Sequence, residues 1–224
     1  MNNKTLWIFR ETRSGSTWIC NALEKKLNKP LSHYESNLSK YGVFDPSKFQ
    51  NPDILYSTHR FQYLSELKTN DPYVIRTTRR NKPDQCLSVL YWKYFPISMK
   101  HNFDNNAELE SPGVPPTFGY DNFILSLDNP VTVKKQDIIN MMIHMKQRDV
   151  FWQKNVEDFK TAVIVYEDLV DQVHLPDLDI TLSFNEEFNF ESKMPEYKTR
   201  VFKNYEQIVD WVNKAAIDLN LTQY

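Results

Sequence analysis

The chain alternates short, wholly apolar runs with stretches whose apolar positions recur every three to four residues, and this alternation lays out its elements. Thr5-Leu6-Trp7-Ile8-Phe9, Asp53–His59, Pro72–Thr78 and Ala162–Tyr166 are largely apolar at consecutive positions, the pattern of strands buried on both faces. Helical patterns run from Ile19 to Leu27, from about Phe61 to Leu67, from about Lys135 to Phe159 and from Tyr205 to Leu219. Another helix has Pro83 in its first turn and carries Cys86, Leu87, Val89, Leu90 and Tyr91. Such strands alternating with helices predict an α/β fold of three layers, a mainly parallel central sheet flanked by helices. Leu31 to Gln50 and Ile97 to Val133 have no clear period. They read as loop or lid insertions, about 31–50 and 97–133, in a single domain spanning 1–224.

Composition narrows the partners. With 41% hydrophobic and 14% aromatic residues the chain can bury a substantial core, and a net charge of −2 gives no global attraction to nucleic acid or an anionic membrane. Any anion therefore needs a local site. Cys20 and Cys86 fall in helical apolar stretches and read as small buried hydrophobes, consistent with a reducing compartment. No run is long enough to span a bilayer, and the N-terminus leads straight into a strand without a basic, then apolar, leader. The expectation is a soluble, cytoplasmic protein with neither membrane nor nucleic acid as partner.

The candidate local site is Arg13-Ser14-Gly15-Ser16-Thr17-Trp18, between the first strand and its helix. A helix N-terminus presents unpaired N–H groups to whatever occupies the loop before it. Gly15 is one of only four glycines in 224 residues and stands where the chain must turn. Ser14, Ser16 and Thr17 bring hydroxyls, and Arg13 a guanidinium fork that matches phosphate or sulfate oxygens. The plainer alternative is a helix capped by Ser14 or Ser16 beside a solvated Arg13. At two further strand ends stand His59 and Arg80, and in a parallel sheet these would converge with the loop. The plainer reading of Arg76, Arg79, Arg80 and Lys82 is a solvated charge run.

The loop lacks the first glycine and the lysine of the Walker pattern. It resembles instead the phosphosulfate-binding loop of the sulfotransferases that use 3′-phosphoadenosine 5′-phosphosulfate (PAPS), matching Arg, Ser, Gly, Ser, Thr and Trp in order. The arginine in first place and the Thr78-Arg79-Arg80-Asn81-Lys82-Pro83-Asp84-Gln85-Cys86-Leu87-Ser88 segment look most like the bacterial branch. Val165-Tyr166-Glu167-Asp168-Leu169 resembles a later strand end of the family, and Asp168 there reads as a cap or turn residue. The glycine-rich C-terminal adenine loop of cytosolic members is absent; Lys198, Arg200 and Lys203 stand as substitutes for it or as a solvated basic face.

The resemblance implies a P-loop-like fold and sulfuryl transfer from PAPS, without a metal, to a hydroxyl or amine of a small-molecule or carbohydrate acceptor. Arg13, Ser14, Gly15, Ser16, Thr17 and Trp18 would hold the phosphosulfate, Arg80 and Ser88 the 3′-phosphate, and Arg13 would stabilise the leaving phosphate. Two residues compete as base. His59 in Ser57-Thr58-His59 matches a family Lys-Thr-His segment, with Ser57 in place of the lysine. Glu35 occupies a place like the catalytic glutamate of the bacterial trehalose-modifying branch. Tyr34, Tyr41, Phe44, Tyr94 and Phe95 would line an acceptor pocket or serve as core. A phosphotransferase using ATP and a non-catalytic nucleotide-binding module are the alternatives.

Overall fold

The structure is a computed structural model that describes residues 4–33, 44–94, 130–183 and 202–221. In chain order its elements are β1 (Leu6–Arg10), α1 (Ser16–Leu27), β2 (Leu31–His33), β3 (Leu55–Thr58), α2 (Tyr63–Glu66), β4 (Tyr73–Thr78) and α3 (Lys82–Tyr94). There follow α4 (Lys135–Asn155), β5 (Lys160–Val165), β6 (Val173–Leu175), β7 (Ile180–Leu182) and α5 (Tyr205–Asp218). The described residues fall into two compact units, one within Met1–Lys82 and His144–Phe190, the other within Pro83–Ile143 and Glu191–Leu221.

The first unit holds a five-stranded sheet in the order β2-β3-β1-β4-β5, parallel throughout. Every residue of β1, β3 and β4 is buried, and successive side chains divide between the two faces. Leu6, Ile8, Leu55, Tyr73 and Ile75 meet Trp18, Ile19, Ala22 and Leu23 of α1 on one face. Trp7, Phe9, Tyr56 and Val74 meet Tyr63 and Leu64 of α2 and Trp152 of α4 on the other. The result is a three-layer α/β fold. A two-stranded antiparallel hairpin, β6-β7, adds Leu175 and Leu182 to the α1 face.

The second unit contributes buried apolar residues from two helices. Ile138 and Met142 from the first part of α4, and Ile208, Val212, Ala215 and Ala216 from α5, are buried. Asn204 pins Val133 through both of its backbone groups, at 3.1 and 3.0 Å, beside a bridge between Val131 and Phe202. Cys86 lies 3.6 Å from the Met141 sulfur, and burial pushes its thiol up to about 12. Both cysteines are buried, as their apolar settings predict. Among the described residues no helix is long and apolar enough to cross a membrane.

The structure departs from the sequence expectation in two places. Leu31–His33, expected within a loop, is an edge strand paired only to β3 in the described sheet. β5, expected to be buried on both faces, lies at the opposite edge, and Val163 is 46% exposed there. Of the two readings offered for Phe44, pocket lining or core, the structure shows core, its ring stacked on Tyr63 at 4.1 Å. Most of the 97–133 insertion, together with Tyr34, Tyr41, Phe95, Lys198 and Arg200, lies outside the described residues; Lys203 is exposed.

Candidate functional site

Because the strands are parallel, their C-terminal ends share one edge of the sheet. β3, β1 and β4 are neighbours, so His59, the loop Glu11–Gly15 and Arg79-Arg80 leave adjacent strands along that edge. The turn after β5, Tyr166–Val170, stands beside them.

The loop is held from below. The Glu11 N–H donates to the Thr77 carbonyl at 3.2 Å, and the Ser14 N–H and hydroxyl both donate to the Glu11 carbonyl, at 3.3 and 2.7 Å. With its proton so committed, the Ser14 hydroxyl accepts from Thr77 Oγ1 at 2.9 Å. Ser14 is wholly buried, so its hydroxyl shapes the loop. Arg13 (φ 62°) and Gly15 (φ 68°) are left-handed, with Ser14 between them on the ordinary side, an alternation of the kind that curls backbone N–H groups around anions. A non-glycine residue held so costs about 1–2 kcal/mol, strain of the sort stored at functional sites. Gly15 is the N-cap of α1, and no side chain caps that helix, so the Ser14 or Ser16 cap does not form. Ser16 is buried, Thr17 exposed, and Trp18 packs into the core.

Gly15 is required twice over, by its φ and by its neighbour. A Cβ there would lie 2.4 Å from Cδ2 of Tyr166. The same ring carries the Arg79 guanidinium, whose carbon is 5.1 Å from the ring centre. Glu167 accepts from the backbone N–H groups of Arg80 (2.8 Å) and Asn81 (3.1 Å) and from Arg79 Nε at 3.3 Å. Asp168 pairs with Arg80 at 2.7 Å, both roughly half exposed. Asp168, expected to cap a turn, lies in the turn Tyr166–Val170 and pairs its carboxylate with Arg80. Burial, then the nearby Arg79 charge, lowers the pKa of Arg13.

No family model, curated protein or solved structure matches this chain.

Beneath the loop lies a charge cluster that the sequence reading missed. Glu11, Arg76, Lys82 and Asp149 are 2%, 5%, 1% and 1% exposed. Arg76 donates to Glu11 through Nε (2.9 Å) and Nη2, and through Nη2 to Asp149; Lys82 donates to Glu11 (2.7 Å) and Thr78 (2.9 Å). Burial by itself would raise the Glu11 carboxyl, but Arg76 and Lys82 outweigh it and hold the group down at about 2. A solvated charge run is therefore wrong for Arg76 and Lys82. The available signal was Arg76 itself, a charge inside the otherwise uncharged run Tyr73–Thr78.

His59 receives a definite tautomer. Its Nδ1 is 2.5 Å from the Arg10 carbonyl, which can only accept, so Nδ1 carries the proton and Nε2 the lone pair. Burial, then Arg10, Arg148 and His33, pushes its pKa down to about 4. At pH 7 it is a neutral imidazole able to take a proton, though weaker than an ordinary histidine. Glu35 lies outside the described residues. Ser88 belongs to α3 in the second unit and is 8% exposed. Among the described residues no group of His, Cys, Asp or Glu is arranged to hold a metal.

Proposed function

We propose that the protein is a PAPS-dependent sulfotransferase that moves a sulfuryl group to a hydroxyl or amine of a small-molecule or carbohydrate acceptor. The observation that carries this reading is the β1 loop. Gly15 opens α1 in the left-handed conformation without a side-chain cap, and Arg79 and Arg80 leave the neighbouring strand end. A phosphosulfate seated there would meet backbone N–H groups, the Thr17 hydroxyl and Arg13. Charge developing on the leaving 5′-phosphate as the S–O bond breaks would be stabilised in place.

The acceptor oxygen or nitrogen forms the new bond to sulfur in line with that departure, and its proton passes to His59 Nε2 or to Glu35. Arg80 would take the 3′-phosphate. Its exposed pair with Asp168 is worth at most about 1 kcal/mol, so exchanging the carboxylate for a phosphate is inexpensive.

Calorimetric titration with adenosine 3′,5′-bisphosphate, with ATP as control, tests the cofactor. The bisphosphate should bind more tightly than ATP without added Mg²⁺, and Arg80→Ala should remove most of that preference. Binding no tighter than that of ATP, or indifferent to Arg80→Ala, rules the cofactor out.

A further inference from the structure

We propose that Arg79 is the second arginine of the loop site, closing with Arg13 on the doubly charged phosphoryl or sulfuryl end of the ligand, while Arg80 lies outside this clamp. The inference deepens the sulfotransferase reading and rests on it for the identity of the nucleotide.

Arg79 and the loop are tied to the same ring. Tyr166 lies so close to Gly15 that no side chain fits between them, and the Arg79 guanidinium lies over that ring at 5.1 Å. Glu167 takes the Nε edge of the guanidinium at 3.3 Å while fixing the Arg80 and Asn81 N–H groups, so the plane of Arg79 is set by two contacts. A planar fork held in this way has lost much of its rotamer freedom before a ligand arrives, which favours bidentate binding of phosphate or sulfate oxygens.

Arg13 and Arg79 also stand near enough to repel. Arg79 is one of the causes that lower the Arg13 pKa, after burial, and the Arg79 side chain is only 20% exposed. Glu167 holds Arg79 while its two oxygens are shared with two backbone N–H groups, and a bound anion would offset the repulsion between the two guanidinium groups. Arg80 differs on each point: its side chain is 46% exposed and paired at 2.7 Å to a carboxylate of its own.

The test uses the full chain and three probes: inorganic pyrophosphate, adenosine 5′-phosphate and adenosine 3′,5′-bisphosphate. Each is titrated by calorimetry into wild type, Arg79→Gln, Arg79→Lys and Arg80→Gln, with thermal unfolding as a check on folding. Arg79→Gln should weaken all three probes by about tenfold or more, the worth of one charged hydrogen bond. Arg79→Lys keeps the charge without the fork and should recover part of the loss; if the glutamine variant does not fold, the lysine variant carries the test, with a several-fold loss expected. Arg80→Gln should weaken the bisphosphate alone. Unchanged pyrophosphate affinity in the folded Arg79 variants, or a wild type that does not bind pyrophosphate, overturns the clamp. A wild type that holds pyrophosphate through Arg79 yet treats the two nucleotides alike keeps the clamp and rejects the PAPS reading.

Discussion

Two charge clusters lie at the same edge of the sheet and are built on opposite principles. Glu11, Asp149, Arg76 and Lys82 are sealed from solvent, two carboxylates against two cations, each hydrogen-bonded or ion-paired to another member. Arg79 and Arg80 pair with Glu167 and Asp168 at partial exposure, Arg79 lies over the Tyr166 ring, and Arg13 feels the Arg79 charge. The first is sealed away from any ligand in solvent and holds structure, with Arg148 close enough to feel Glu11, Arg76 and Asp149. The second is partly open to solvent, the condition in which an anion can bind without displacing a buried ion. Glu11 joins them: its side chain belongs to the closed cluster and its carbonyl anchors Ser14 of the loop.

The sharpest way to break the comparison is to unbalance the closed cluster. Arg76→Met keeps much of the volume beside Phe61 and Trp152 but removes the guanidinium that bridges Glu11 and Asp149. Removing one partner of a buried pair typically costs about 3–5 kcal/mol, so the urea midpoint should fall well below that of wild type. The same cluster sets an acid limit. The folded-state pKa of Glu11 is about 2, below the 4.5 of an ordinary glutamate, so its contribution is complete above 4.5 and is lost as pH falls toward 2. Arg76→Met should weaken stability most at neutral pH and less below pH 3. A variant as stable as wild type at pH 7 would mean that Arg76 merely offsets its own desolvation.

A smaller effect should follow from Gly15→Ala, which touches the open cluster. The alanine must adopt φ near 68°, and its Cβ must displace a ring 2.4 Å away. Strain and overpacking together should cost about 1–3 kcal/mol, and the displaced Tyr166 should carry Arg79 out of position. Calorimetry should then record at least a tenfold weaker affinity for adenosine 3′,5′-bisphosphate in a variant that still folds. Wild-type affinity would show that the ring contact belongs to packing and not to the site.

How much of this was legible in the sequence follows from the same contrast. β1, β3, β4 and β5 announce themselves as apolar runs, and the loop is contiguous, so its turn could be read from Gly15 and its hydroxyl neighbours. β2 could not: Leu31-Ser32-His33 is three residues at an edge, without an apolar run, and only pairing to β3 makes it a strand. The closed cluster joins residues 65, 71 and 73 positions apart, and no local pattern encodes such partners. Arg79 was likewise illegible, because Glu167 stands 88 residues away. Ser14 looked like a ligand donor because its hydroxyl is polar and next to Gly15; its burial against Thr77, which sequence spacing cannot show, turns it inward.

The finest test concerns His59, at the strand end beside the open cluster. Its pKa of about 4 lies below the ordinary 6.5 because burial, Arg10, Arg148 and His33 disfavour a proton there, against the pull of the Arg10 carbonyl. Between pH 6.5 and 4 the unfolded chain therefore binds a proton that the folded chain refuses, and stability drops as pH falls through that window. His59→Asn offers an amide donor for the Arg10 carbonyl without a titrating ring, so the pH 5 to pH 7 difference in urea midpoint should shrink. The missing slope is at most about 1.4 kcal/mol per pH unit. In turnover the same shift predicts an acid limb of kcat/KM near 4 instead of 6.5 if His59 is the base, because the neutral imidazole persists to that pH. An equal pH slope in wild type and variant would contradict the depressed pKa. Full turnover in His59→Asn would pass the base role to Glu35.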